Sequence, residues 1–235
     1  STPPEPAASR AVPSSVELFG WGRTAPSGAD VRRPTSPIEL QRALPTSFER
    51  GLIARGLGRS YGDAAQNAGG TVIETTDVAA FTIHESDPNS DTVLVTADAG
   101  ASIDRLLHAL VPQGLFVPVT PGTRYVTVGG AIAADIHGKN HHVKGSWCNH
   151  VVSLHLQLAD GSVVEIGPDR DPELFWATAG GMGLTGVILD ATFRCPRIGS
   201  SQLVVDTDRA ADLDAVCELM RTGDHLYDYS VAWID

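Results

Sequence analysis

The stretch Leu52-Ile53-Ala54-Arg55-Gly56-Leu57-Gly58-Arg59-Ser60-Tyr61-Gly62-Asp63 limits most severely what this chain can become. A short apolar, extended run leads straight into three glycines, two arginines and a serine. Glycine accepts positive φ and lets the backbone approach a ligand, so successive N–H groups can face one concavity and hold an anion. The loop suits phosphate, with an ordinary glycine-rich turn between strands as the alternative.

The surrounding pattern is α+β. Ser36-Pro37 opens a helix expected to reach about Leu44. Gly70–Thr75, Phe81–His84 and Thr92–Ala97 read as strands. Ser102 caps a helix with apolar residues at Ile103, Leu106, Leu107, Leu110 and Val111, and Pro112 and Gly114 end it. Phe116–Val119 is extended. Val151–Leu158, the Asp160-Gly161 turn and Ser162–Ile166 form a hairpin, Asp171-Pro172 opens a short helix closed by Gly180-Gly181, and Val187–Cys195 is a strand. Beyond Ile198 the texture changes, with extended segments expected at Gln202–Asp206 and Tyr227–Trp233 and a helix at Leu213–Met220. The division expected is a flexible tail over 1–15, one domain over 16–197, and the beginning of a second α+β domain over 198–235, stopping in mid-strand.

Composition removes several function classes. With 17 basic and 28 acidic residues, the formal charge of −11 has the wrong sign for neutralising a nucleic-acid backbone. No apolar run approaches the ~18–20 residues of a membrane-spanning helix, so any lipid contact is expected to be peripheral. Cys148, Cys195 and Cys217 are too few and too scattered for a disulfide framework or paired zinc site. Ser1–Ser15 carries no signal-peptide core.

A dinucleotide-binding fingerprint matches twice and fails twice. Gly181-x-Gly183-x-x-Gly186 follows a predicted helix and precedes a strand, the reverse of the order needed. In the earlier loop Tyr61 replaces the small third residue, and no helical face follows Asp63. A second small-residue stretch runs Pro121-Gly122-Thr123-Arg124-Tyr125-Val126-Thr127-Val128-Gly129-Gly130-Ala131-Ile132-Ala133-Ala134-Asp135-Ile136-His137-Gly138-Lys139-Asn140. A helix beginning near Val128 is expected to turn free N–H groups toward a ligand, a tight helix crossing being the alternative use of such residues. His137, His141 and His142 lack the Glu and Cys of a zinc site, so no metal is expected. No nucleophile elbow surrounds Ser60.

Taken together, Arg55-Gly56-x-Gly58-x-Ser60, Pro121-Gly122 with Thr127-Val128-Gly129-Gly130, His137-Gly138, Gly145-Ser146, Asp160-Gly161 and Gly183-Leu184-Thr185-Gly186-Val187 resemble the flavin oxidases of the vanillyl-alcohol-oxidase type. The resemblance spans about Arg55 to Pro196. It implies a two-subdomain FAD-binding domain of the PCMH type, followed by the start of a truncated substrate domain. The FAD-contacting residues it implies are Ala54, Arg55, Gly56, Leu57, Gly58, Arg59, Ser60, Tyr61, Gly62, Asp63, Gly122, Thr127, Val128, Gly129, Gly130, Ala134, Asp135, Ile136, His137 and Ile188. His137, Lys139 and Tyr61 are the implied catalytic group, and Tyr61, Lys139, Asn140 and Trp233 the implied substrate contacts.

Within that family, Ala54–Asp63 and Gly129–His142 are similar to members that oxidise the 2′-hydroxyl of a prenylphosphoryl ribose. This implies the first half of an epimerisation supplying cell-wall arabinan, with a separate NADH-dependent keto-reductase as partner and a cell-envelope, periplasmic or membrane-peripheral location. An oxidase of a soluble polyol or aldonolactone, and a flavin-binding scaffold without turnover, are the alternatives. Many relatives tether FAD through a His at the position of Arg59. A guanidinium stays protonated and cannot be that nucleophile but can pair with pyrophosphate, so non-covalent FAD is expected.

Overall fold

The computed structural model describes residues 15–43 and 50–234. Most of the expected tail and the predicted helix end at Leu44 lie outside them. Two sheets organise the chain. The first has the order β1 (Val16–Leu18), β2 (Ser27–Arg32), β4 (Thr71–Glu74), β3 (Leu52–Arg55). β4 pairs in parallel with both β2 and β3. Adjacent parallel strands cannot be joined by a tight turn. The crossover from β3 to β4 is the glycine-rich loop itself, which here takes an irregular path instead of a helix.

The second sheet is antiparallel, in the order β5 (Phe81–Ile83), β6 (Thr92–Asp98), β9 (Val187–Pro196), β7 (Val151–Gln157), β8 (Val163–Ile166). Strict alternation puts Val93, Val95 and Ala97 of β6 in the core and leaves Leu94 outside. The central strand β9 serves two cores. Val187 and Leu189 pack with Leu40 of α1 (Pro37–Arg42) and with Ile73, whereas Ile188, Ala191, Phe193 and Cys195 join the larger cluster. At the centre of that cluster the Phe193 and Trp147 rings stand 5.2 Å apart, both fully buried.

The helices begin where the caps predict. Ser102 accepts from the Arg105 N–H at the start of α2 (Ile103–Leu110), which buries Ile103, Leu106 and Leu110. α3 (Val128–Ala133) and a single turn, α4 (His141–Lys144), precede β7. Asp171 caps α5 (Pro172–Thr178) by accepting from the Leu174 N–H. α5 is followed by Gly181–Gly186 and then β9, so the helix-loop-strand order that excludes the dinucleotide reading is the order observed.

Three expectations need correction. β2 was not among the predicted strands; only Ala29 and Val31 mark it, and it forms because β4 supplies a parallel edge. The extended segments expected at Gln202–Asp206 and Tyr227–Trp233 form no ladder. A strand needs a partner edge, and among the described residues none lies beside either segment. Among the described residues the regular elements there are α6 (Leu213–Gly223) and the single 3-10 turn Asp224–Leu226 that follows it, and neither buries a residue.

Candidate functional site

A cavity of about 660 Å³ lies where the glycine loop meets α3. Its size is that of small-molecule and cofactor sites, roughly 300–1,000 Å³. The loop wall is set by Arg55. That side chain donates from Nη1 to the Ala65 carbonyl at 3.0 Å and from Nη2 to the Phe19 carbonyl at 2.7 Å. Burial pulls its pKa below the usual arginine value, and the Glu74 carboxylate opposes that pull. Gly58 has φ of +64°, and a Cβ there would strike the Arg55 guanidinium. Among the described residues, the backbone N–H groups of Leu57, Gly58, Arg59 and Ser60 have no protein acceptor, and all four residues line the cavity. Such a row of unpaired amides is an anion cradle.

The opposite wall is α3, and here a sequence expectation is overturned. The N–H groups at its start are already used: Val128 donates to the Ala101 carbonyl and Gly129 to that of Ala99, both at 2.8 Å, and Gly130 donates to Thr127 Oγ1 at 3.1 Å. The first turn of α3 therefore offers the ligand a flat, side-chain-poor surface of Gly129, Gly130, Ala133 and Ala134 instead of free donors. Its positive dipole end still favours negative charge nearby. The two walls meet at Gly56, where a Cβ would run into the Thr127 hydroxyl.

Arg59 closes one side of the mouth. Its Nε donates to the Tyr125 carbonyl at 3.2 Å and its guanidinium carbon sits 4.3 Å from the centroid of the Trp21 ring. In this arrangement the side chain ties three segments together. Trp21 and Gly22 are in turn seated on the loop, donating their N–H groups to the Ser60 and Tyr61 carbonyls. Tyr61 is 77% exposed at the rim.

Of the cofactor contacts expected from sequence, Ala54 to Tyr61, Gly122, Thr127, Gly129, Gly130, Ala134, Ile136 and Ile188 line the cavity. Gly62, Asp63, Val128, Asp135 and His137 do not. Val128, the first residue of α3, is fully buried, and the Asp135 carboxylate is committed to the Ser146 hydroxyl and the Cys148 N–H. His137 packs edge-on against His141 at 5.6 Å. Lys139 and Trp233 lie outside the lining, Trp233 being 83% exposed. Asn140 is buried, its Nδ2 donating to the Pro118 carbonyl at 2.9 Å. Lining residues that the sequence reading left out include Trp21, Ala64, Thr75, Ala99, Tyr125, Ala133 and Met182. Trp21 belongs to the aromatic turn Phe19-Gly20-Trp21, which only the fold brings onto the loop.

The cavity combines unpaired amides at one wall with the apolar surfaces of Val126, Ala133, Ile136, Met182 and Ile188. That pairing fits a cofactor with a charged pyrophosphate and a flat aromatic ring. Residues 29–167 match the family described as the FAD binding domain. The chain belongs to the FAD-binding domain family. Its cofactor is FAD, held in a PCMH-type domain with mixed α/β sheets. Over 229 residues, 94% of this chain, it is 51% identical to a decaprenylphosphoryl-β-D-ribose oxidase of Mycolicibacterium smegmatis, covering 48% of that protein. It is also 31% identical to cytokinin dehydrogenase 8 of Oryza sativa subsp. indica and 28% identical to L-gulonolactone oxidase of Mus musculus. Each of those alignments covers 77% of this chain, and they span 36% and 40% of the respective relatives. The chain thus spans about half, or less, of the length of these relatives.

Cys148, Cys195 and Cys217 are unpaired. Burial pushes the Cys195 thiol up to about 12, and Cys148 is raised by burial and by the Asp135 carboxylate. Neither is a thiolate available for chemistry. No described helix is long and apolar enough to cross a membrane.

Proposed function

We propose that this chain is the FAD-binding part of an oxidase that converts the 2′-hydroxyl of decaprenylphosphoryl-β-D-ribose to the 2′-ketone. The observation that carries this reading is 51% identity extending over 94% of the chain, well past the FAD-binding match at 29–167 and through most of the segment beyond it. Bound FAD supplies the two-electron acceptor for dehydrogenation at the alcohol carbon. The loop amides of Leu57–Ser60 would hold the pyrophosphate, and Gly129, Gly130 and Ala133 would give the cofactor a flat bed. Tyr61 would form the exposed wall beside the substrate. His137 would orient the alcohol, and Lys139 would meet the sugar or its phosphate as a cation.

In the same reading, residues 16–197 form the FAD-binding domain and residues 198–235 open a substrate-binding domain. Support comes from the exposure of Val204 (98%), Trp233 and Ile234, which a single domain would not leave in water, and from a relative about twice as long. The ketone product calls for an NADH-dependent keto-reductase as partner, and a prenylated substrate calls for peripheral contact with the cell envelope.

The test is anaerobic mixing of the full-length protein with prenylphosphoryl ribose, soluble polyols and aldonolactones while oxidised-flavin absorbance is followed. Bleaching by prenylphosphoryl ribose alone is expected. Bleaching by a lactone or polyol instead would move the chain to the soluble-sugar oxidases, and no bleaching by any of them would leave a flavin scaffold.

Arg59 stands where a tethering nucleophile would be needed, and its guanidinium is engaged with Tyr125 and Trp21. Acid precipitation is expected to leave a colourless pellet and all flavin in the supernatant. A yellow pellet would show a covalent bond.

A further inference from the structure

Among the described residues, the hydrogen bonds that join residues 199–234 to the remainder of the chain gather at one place. Ser230 donates its N–H to the Lys139 carbonyl at 2.9 Å. His142 places Nε2 3.2 Å from the Asp224 carbonyl and 3.0 Å from the Tyr227 carbonyl. Both partners are acceptors, so Nε2 carries a hydrogen and donates. Among the described residues, the hydrogen bonds found between 199–234 and the rest of the chain are these three.

The segment that receives them is fixed from its other side. A Cβ at Gly138 would strike the Thr120 carbonyl, and buried Asn140 donates to Pro118. His141, whose ring packs edge-on against His137, and the adjacent His142 open the single helical turn α4. Residues 137–142 therefore lie between the 118–120 backbone and the 224–230 backbone, in contact with both. A displacement of 224–230 would be felt at His137 and Lys139 through this segment.

The structure assigns His142 the role of a positioning residue: by donating to two carbonyls of the 224–227 turn, it sets the C-terminal segment against the stretch that carries His137 and Lys139. The assignment rests on the proposed function only in placing that stretch beside the substrate. It involves no contact with the flavin cavity, which His142 does not line.

The experiment compares FAD-loaded full-length protein with its His142→Ala and His142→Gln variants, glutamine keeping a donor at similar reach. Limited proteolysis is followed within 199–212, and kcat and KM are measured with a short-chain prenylphosphoryl ribose. For His142→Ala, flavin content stays at the wild-type value, cleavage speeds up about tenfold and KM rises about tenfold, as loss of both bonds implies. kcat falls less than KM rises, and His142→Gln recovers most of both effects. Wild-type cleavage and KM in His142→Ala, a glutamine variant no better than alanine, or loss of flavin would each overturn the assignment. Should the wild-type protein leave prenylphosphoryl ribose untouched, the substrate reading fails while the cleavage rates still decide the role of His142.

Discussion

Gly56→Val is expected to purify without its yellow colour. The position has no room for a side chain: a Cβ there meets Thr127, whose hydroxyl holds the Gly130 N–H at the start of α3. To make space, either the loop must lift from α3 or Thr127 must turn away and abandon its cap. Overpacking costs about 1–3 kcal/mol, and a lost N-cap costs about 1 kcal/mol. Both changes fall on the joint between the two cavity walls, so FAD affinity should drop by about 100-fold, or ~2.7 kcal/mol. Flavin-to-protein absorbance after purification, followed by titration of the apoprotein with FAD, measures it. Gly199→Ala is the matched control, because nothing lies within 4 Å of a Cβ at that position. A Gly56→Val protein holding wild-type flavin with wild-type affinity would refute the joint.

Phe193→Ala is the change expected to cost most stability. Phe193 is fully buried on the central strand β9 and packs on Trp147 at a tilt, 5.2 Å between centroids. Deleting such a ring removes its burial and leaves a cavity that neighbours fill only partly, for about 3–5 kcal/mol. In a protein of this size that lowers the melting midpoint by about 10 °C. Denaturant unfolding of the FAD-loaded protein should show the midpoint falling with little change in slope. A loss below about 1 kcal/mol would mean that the core collapses onto the site far better than its packing implies.

The loop from Arg55 to Asp63 shows how far local reasoning reaches. Its glycines announce a backbone that approaches a ligand, and the fold places the loop as the crossover between two parallel strands with unpaired amides lining the cavity. The caps at Ser36, Ser102 and Asp171 were legible for the same reason: a cap is a contact between residues three apart, and sequence displays such neighbours directly. Thr127 was read as part of a ligand-facing helix start. Its helix does start there, yet the donors that the reading assigned to a ligand are taken by Ala99 and Ala101, which precede it by more than a turn of any local structure. Arg59 lines the cavity, and its Nε also reaches the Tyr125 carbonyl, 66 positions along the chain, a contact that no local pattern displays.

By itself, then, the sequence determined the α+β texture, the helix starts, the Asp160-Gly161 hairpin and the glycine loop, together with a resemblance strong enough to point to FAD. Those features depend on contacts within a few residues, where spacing and geometry are nearly the same thing. Only the tertiary structure decided which amides remain free, that β2 pairs while 202–206 and 227–233 do not, and that Trp21, Arg59 and Tyr125 share one rim. Each of these turns on a hydrogen-bond partner or a packing surface supplied by a distant part of the chain. A donor is free, and a strand is a strand, only in relation to what the fold brings beside it.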